Sequence, residues 1–114
     1  MKYLLDTVSF LWAVYGESEK LGENARPIIE SLQNTLYLSA VSSWEIVLKY
    51  GVKKLPLPNP PKQFIVEHGS KLNFVPLPVT HEHTFAVTDL PFHHKDPFDR
   101  LLIAQAQVED LPIL

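Results

Sequence analysis

Four acids stand where an α/β chain could do chemistry: Asp6, Glu45, Asp96 and Asp99. Asp6 closes the first apolar run, Lys2–Leu5. Glu45 lies one turn into the helical segment after the second run. Asp96 and Asp99 flank the start of the last helical segment. Carboxylates that converge in a dry cleft repel one another, and a buried carboxylate needs a partner. A divalent cation removes that repulsion. A set of oxygen ligands in a chain with no cysteine favours Mg2+ or Mn2+. Such a site supports phosphodiester hydrolysis, in which the cation activates water, orients the phosphate and steadies charge on the departing oxygen.

Each acid also has an ordinary structural account. Asp6 can cap the helix it precedes. Ser42 and Glu45 match the S-x-x-E capping box. Asp96-Pro97-Phe98-Asp99 reads as N-cap, proline at N1 and an acid at N3. Taken singly, capping is the readier account of Glu45 and Asp96. Asp99 shares a helical stripe with Leu102, Ile103 and Ala106, so partial burial is expected of it, as it is of Asp6 at the end of a buried strand.

Lys49, Lys53, Lys54, Lys95 and Arg100 are the cations nearest the acids in sequence. Arg100 could touch phosphate or pair with Asp96, and a plain surface ion pair accounts for it equally well. His93 and His94 are expected on a solvent-facing loop, and His81 and His83 at the opening of a helix. None has the i, i+4 spacing of a helical zinc pair. Trp12 and Trp44 read as core or dimer interface rather than as platforms for stacked bases. There is no Gly-rich phosphate loop and no nucleophile elbow. Asp6-Thr7 after a first strand would suit an aspartyl phosphotransferase, but the second acid such an enzyme needs two residues on is replaced by Val8.

The elements that must position these residues follow from hydrophobic spacing. Strands are expected at Lys2–Leu5, Leu36–Ser39 and Phe74–Leu77, with Pro112–Leu114 opening a fourth. Helices are expected at Asp6–Tyr15, Gly22–Gln33, Ser42–Gly51, Pro61–Leu72, from Thr80 as N-cap to Leu90, and at Phe98–Glu109. In the third of these, Trp44, Val47, Leu48 and Gly51 fall on one stripe. The prolines of Lys54–Pro61 forbid either ladder and make a loop, as does Pro91–Pro97. Strands alternating with helices argue for a parallel sheet covered on both faces, and ligands of such sheets bind beyond the carboxyl ends of the strands. The chain of 114 residues suits one domain, and a hydrophobic fraction of 46% can build its core. A net charge of −3 means that any nucleic acid must be held by local patches or bound cations. No apolar stretch is long enough for a membrane span, the N-terminus lacks a secretory signal, and the absence of cysteine fits a cytoplasmic protein.

Several segments resemble the VapC-type ribonucleases of the PIN-domain family: Tyr3-Leu4-Leu5-Asp6-Thr7 with Phe10-Leu11-Trp12; Ser43-Trp44-Glu45-Ile46-Val47-Leu48-Lys49; Lys53-Lys54-Leu55-Pro56-Leu57; and above all His93 to Ala106. The resemblance implies a three-layer α/β/α sandwich with a central parallel sheet. It implies Mg2+- or Mn2+-dependent RNA cleavage, with Asp6, Glu45 and Asp99 as metal ligands and Asp96 as a supporting catalytic acid. It further implies a toxin role, an antitoxin partner that inserts a segment into the cleft, and a homodimer; Arg100 and Lys49 become candidate contacts to RNA or antitoxin. Relatives continue past Leu111-Pro112-Ile113-Leu114 into a Thr-x-Asp motif with a fourth acid and then a final strand. The expectation for residues 1–114 is therefore a single PIN-like domain lacking that strand. The alternative is a non-catalytic PIN module that binds antitoxin or RNA without cleaving.

Overall fold

Lys2–Leu5 forms the first strand, β1, and both Leu4 and Leu5 are fully buried. Consecutive strand residues point to opposite faces, so burial of both means that helices cover the sheet on each side. The structure, a computed structural model, describes residues 1–16, 18–91 and 95–114, and for Ser18 and Glu19 the backbone alone. Leu5 joins a cluster with Phe10, Leu36, Leu38, Ile46, Phe64 and Phe74 on one face. Leu4 joins Val41, Leu102 and Ala106 on the other. This is the expected α/β/α layering.

The second strand, β2 (Thr35–Ser39), runs parallel to β1 with Lys2 opposite Thr35 and Leu5 opposite Leu38. The third, β3 (Val75–Leu77), runs parallel to β2 on its far side. Pro76 is tolerated in β3 because that strand takes an edge of the sheet. On the other side of β1, Leu4 N–H donates to Pro112 O (2.8 Å), Leu114 N–H to Leu4 O (2.9 Å) and Asp6 N–H to Leu114 O (2.9 Å). The expected fourth strand is thus present as a parallel bridge between Leu4 and Ile113. It places β1 inside the sheet.

Six helices fill the connections among the described residues: α1 (Thr7–Val14), α2 (Gly22–Glu30), α3 (Ala40–Gly51), α4 (Pro61–Lys71), α5 (His81–Ala86) and α6 (Pro97–Glu109), with 3-10 turns at Ser18–Leu21 and Val87–Asp89. Three differ clearly from the spacing-based expectation. α3 starts at Ala40 rather than Ser42, because Ser39 caps it. α2 stops at Glu30 rather than Gln33, because Ser31 turns to an extended ψ of 124°. The segment expected as one helix to Leu90 tightens after Ala86 into the 3-10 turn.

Aromatic rings fill the larger core. Phe10 meets Phe64 edge-on, with centroids 6.5 Å apart, and Phe74 at 5.5 Å. On the opposite layer α5 is locked to α6 by His83, which is 1% exposed. Thr80 N–H donates to His83 Nδ1 (3.0 Å), so the proton of the neutral ring sits on Nε2, 3.1 Å from Glu109 Oε2. With Thr80 Oγ1 accepting from His83 N–H, this completes a capping box in which histidine takes the place of the usual glutamate. The composition of the sequence did not mark His83 as an interior residue.

The stripe expected to anchor α3 does not face the core. Trp44 is 55% exposed, and Val47, Leu48 and Gly51 are exposed as well. The helix packs instead through Val41, Ser42 and Ile46. On that face Ser42 meets Thr7 of α1. Trp44 is therefore not a core residue, while Trp12 is half-buried.

Candidate active site

The acids are placed by three chain reversals at one edge of the sheet. β1 ends at Leu5, and Asp6 turns the chain into α1 with extended backbone (φ −78°, ψ 168°). Its Oδ1 accepts from Ser9 N–H at 2.7 Å, so it does cap α1. Its own N–H is fixed by Leu114 O, which pins it to the carboxyl end of β1 from the far side.

Glu45 is placed differently from the capping reading. α3 begins at Ala40, immediately after β2, and its N-cap is Ser39, whose Oγ accepts from Val41 N–H at 2.9 Å. Glu45 therefore lies in the second turn, beyond the amides that lack an intrahelical acceptor. The S-x-x-E box does not form. The fully buried Ser42 instead faces Thr7, with 3.0 Å between the hydroxyl oxygens. Thr7 Oγ1 also lies 2.7 Å from Glu45 Oε1. An ionised carboxylate only accepts, so the single Thr7 proton goes to Glu45 and its oxygen is left to face the Ser42 hydroxyl. The other Glu45 oxygen, Oε2, accepts from Lys49 Nζ at 2.6 Å. The Glu45 side chain is 12% exposed and thus held at both oxygens in a nearly closed position.

Asp96 caps α6 as expected, its Oδ1 accepting from Phe98 N–H (2.8 Å) and Asp99 N–H (3.2 Å). Asp99 is exposed rather than partly buried. Leu102 and Ala106 of its stripe are buried under the sheet, and Asp99 precedes them by a turn, past the covered part of the helix. α6 leads into the segment that runs parallel to β1, so its N-terminus must lie at the same sheet edge as Asp6.

The electrostatics of Lys49 report that convergence. Its ammonium is held above its ordinary value, first by the hydrogen bond to Glu45, against an opposing effect of burial, and then by attraction to Glu45, Asp96 and Asp99. Acids separated by some fifty residues thus act on one point. Asp6 is tied to the same point through its neighbour Thr7. Among the described residues, no group of three His, Asp or Glu side chains stands ready to hold an ion. Mg2+ does not demand such a cage, since it commonly keeps several waters and is held through one or two carboxylates plus substrate phosphate. The donors are hard oxygens at the right sheet edge, so the residues fit a divalent cation in chemistry and charge.

Arg100 donates through Nη1 to Pro91 O (2.8 Å) and through Nη2 to Val87 O (3.2 Å), bracing the segment before α6. His93 and His94 lie outside the described residues. Sequence reasoning missed Thr7 and Ser42. The available signal was a hydroxyl immediately after Asp6 and another one turn before Glu45, both at positions where an apolar residue would otherwise fill the buried face.

The sequence profile of the PIN domain matches residues 3–114. The chain belongs to the PIN-domain family. One relative of this PIN domain is Ribonuclease VapC16 of Mycobacterium tuberculosis, 37% identical over 59 residues, a match covering 52% of this chain and 42% of that protein. A solved structure, VapBC2 from Rickettsia felis bound to a DNA fragment from their promoter, shares the fold with a TM-score of 0.64 at 20% identity, covering 99% of this chain and 85% of that one. The parallel sheet with helices on both faces is thus the fold that this chain shares with that structure.

Proposed function

We propose that this PIN domain is a metal-dependent endoribonuclease and the toxin of a toxin–antitoxin pair. The observation that carries the reading is Glu45, held by Thr7 and Lys49 at the carboxyl edge of the sheet where Asp6 follows β1 and Asp99 lies in the first turn of α6. Asp6, Glu45 and Asp99 would hold Mg2+ or Mn2+, and Asp96 would orient a water or the ion's hydration shell. Held there, a divalent cation would supply water activation and charge neutralisation at the phosphate. Thr7 and Ser42 keep Glu45 in one rotamer, Leu114 O holds the Asp6 backbone, and Lys49 is placed to leave Glu45 and meet an incoming phosphate. Water attacks phosphorus directly, with no covalent enzyme intermediate.

The names of the relatives support the wider reading. One is a ribonuclease, and the other comes from a complex of two partners on promoter DNA. An antitoxin that fills the acidic edge with a basic side chain suits the charge found there. The exposed Trp44, Val47 and Leu48 on α3 suit pairing of two copies. No helix among the described residues is long and apolar enough to cross a membrane, which accords with a cytoplasmic toxin. We take residues 1–114 as a single domain. A second reading, a non-catalytic PIN module, is favoured by the occupation of Glu45 by Lys49.

Incubation with single-stranded RNA separates the two. The enzyme cleaves with Mn2+ or Mg2+, stops on chelation, and leaves no cyclic phosphate, since the attacking group is water and not the ribose hydroxyl. Intact RNA at millimolar metal would leave the binding module.

A further inference from the structure

Residues 46–66 contain four lysines and no acid, in a chain whose net charge is −3. Three of those lysines, Lys49, Lys53 and Lys54, cluster at the end of α3. Glu45 and Lys49 are one helical repeat apart, about 6 Å along the axis, and Lys53 follows after another such interval, just past the C-cap Val52. That interval is comparable to the spacing of neighbouring phosphates on an extended strand.

The backbone at Lys53 is unusual. Its φ is 62°, in the left-handed region. The other non-glycine residues with positive φ among those described are Asn73 and Asp110, types that tolerate the conformation. Glycine would fill this helix-ending position without steric cost. Lysine near the end also suits the negative pole of the helix dipole, but that benefit does not require the left-handed site. Lys53 N–H donates to Tyr50 O (3.0 Å) and Lys54 N–H to Lys49 O (2.9 Å), so the chain folds back on the helix. The reversal opens a hollow of about 470 Å³ lined by Tyr50, Gly51, Lys53, Leu55, Pro56 and Leu57. Its walls are an aromatic ring and aliphatic side chains, and its rim is cationic. This is the composition that takes a nucleobase on a π-face while lysines hold the backbone.

We infer that the end of α3 is a subsite for single-stranded RNA leaving the acidic edge, with Lys49, Lys53 and Lys54 on phosphates of the strand and a base in the hollow beside Tyr50. The subsite rests on the ribonuclease reading and adds to it the path of the strand. It also answers how an acidic chain holds RNA: the positive charge is concentrated in one segment.

The test is the affinity of the full chain for a fluorescently labelled short single-stranded RNA, by anisotropy in chelator so that nothing is cleaved, over a range of salt. The double variant Lys53→Gly, Lys54→Gln should bind roughly tenfold more weakly, and its log–log salt dependence should flatten by about 1.4, two cations' worth. Lys53→Gly relieves the left-handed strain, so the variant should melt no lower than the parent. Tyr50→Leu should weaken binding about fivefold with the salt slope unchanged. Unchanged affinity and slope in the double variant, while the parent binds and cleaves RNA, overturns the subsite alone. The same holds if the variant loses polyglutamate binding and keeps RNA, which would make the patch a dock for an acidic peptide. A parent that binds no RNA overturns the subsite and the ribonuclease reading together.

Discussion

Asp6→Asn is expected to lower RNA cleavage by on the order of a hundredfold or more while leaving the fold intact, and Asp99→Asn to do the same. The two effects separate because of what each oxygen does. Asparagine caps a helix about as well as aspartate, so the Asp6→Asn variant retains the bond from Ser9 N–H and the entry into α1. Asp99 is exposed, and its loss exposes no cavity. What both variants lose is a negative charge at the edge where Glu45 and Lys49 meet. The measurement is initial cleavage rate at saturating Mn2+, beside the thermal melting midpoint. Melting within a few degrees of the parent, with activity gone, is the predicted pattern. Full activity in both variants would remove these acids from the chemistry.

Phe10→Ala is expected to have the largest effect on stability, about 3–5 kcal/mol. Phe10 is fully buried and contacts Phe64 and Phe74, which come from α4 and the approach to β3. It is thus the ring that joins three distant pieces of chain in the larger core. A domain of this size has a total stability of about 5–15 kcal/mol, so the variant should be near the edge of folding at body temperature. Denaturant titration measures it. A loss under about 1 kcal/mol would mean that the ring is not enclosed as described.

The sequence was most informative where one physical requirement dominated. β1 was readable because a strand buried on both faces must be a continuous apolar run, and Tyr3-Leu4-Leu5 is one, with Leu4 and Leu5 buried. α6 was readable because Asp96-Pro97 supplies both a cap and a proline at N1, and the structure uses both. The acids at the strand ends were found because a parallel sheet directs chemistry to its carboxyl edge. The errors came where two patterns competed. S-x-x-E suited a capping box at Ser42, but Ser39 already caps α3, and this freed Ser42 for Thr7 and Glu45 for Lys49. The stripe through Trp44 had helical spacing, yet spacing gives a face and not its direction, and the smaller face through Val41, Ser42 and Ile46 took the core. His83 was hidden because its burial depends on Thr80 and Glu109, and the latter lies 26 residues away.

In the proposed site Asp6, Glu45 and Asp99 would hold one divalent cation, and Lys49 would compete with it for Glu45 Oε2. Calorimetric titration of Mn2+ into the full chain tests it most directly. One site per chain is expected at millimolar metal or below, lost in Asp6→Asn and tightened in Lys49→Met, where the ammonium no longer competes for Glu45 Oε2. No heat of binding, or binding that Asp6→Asn leaves unchanged, would contradict it.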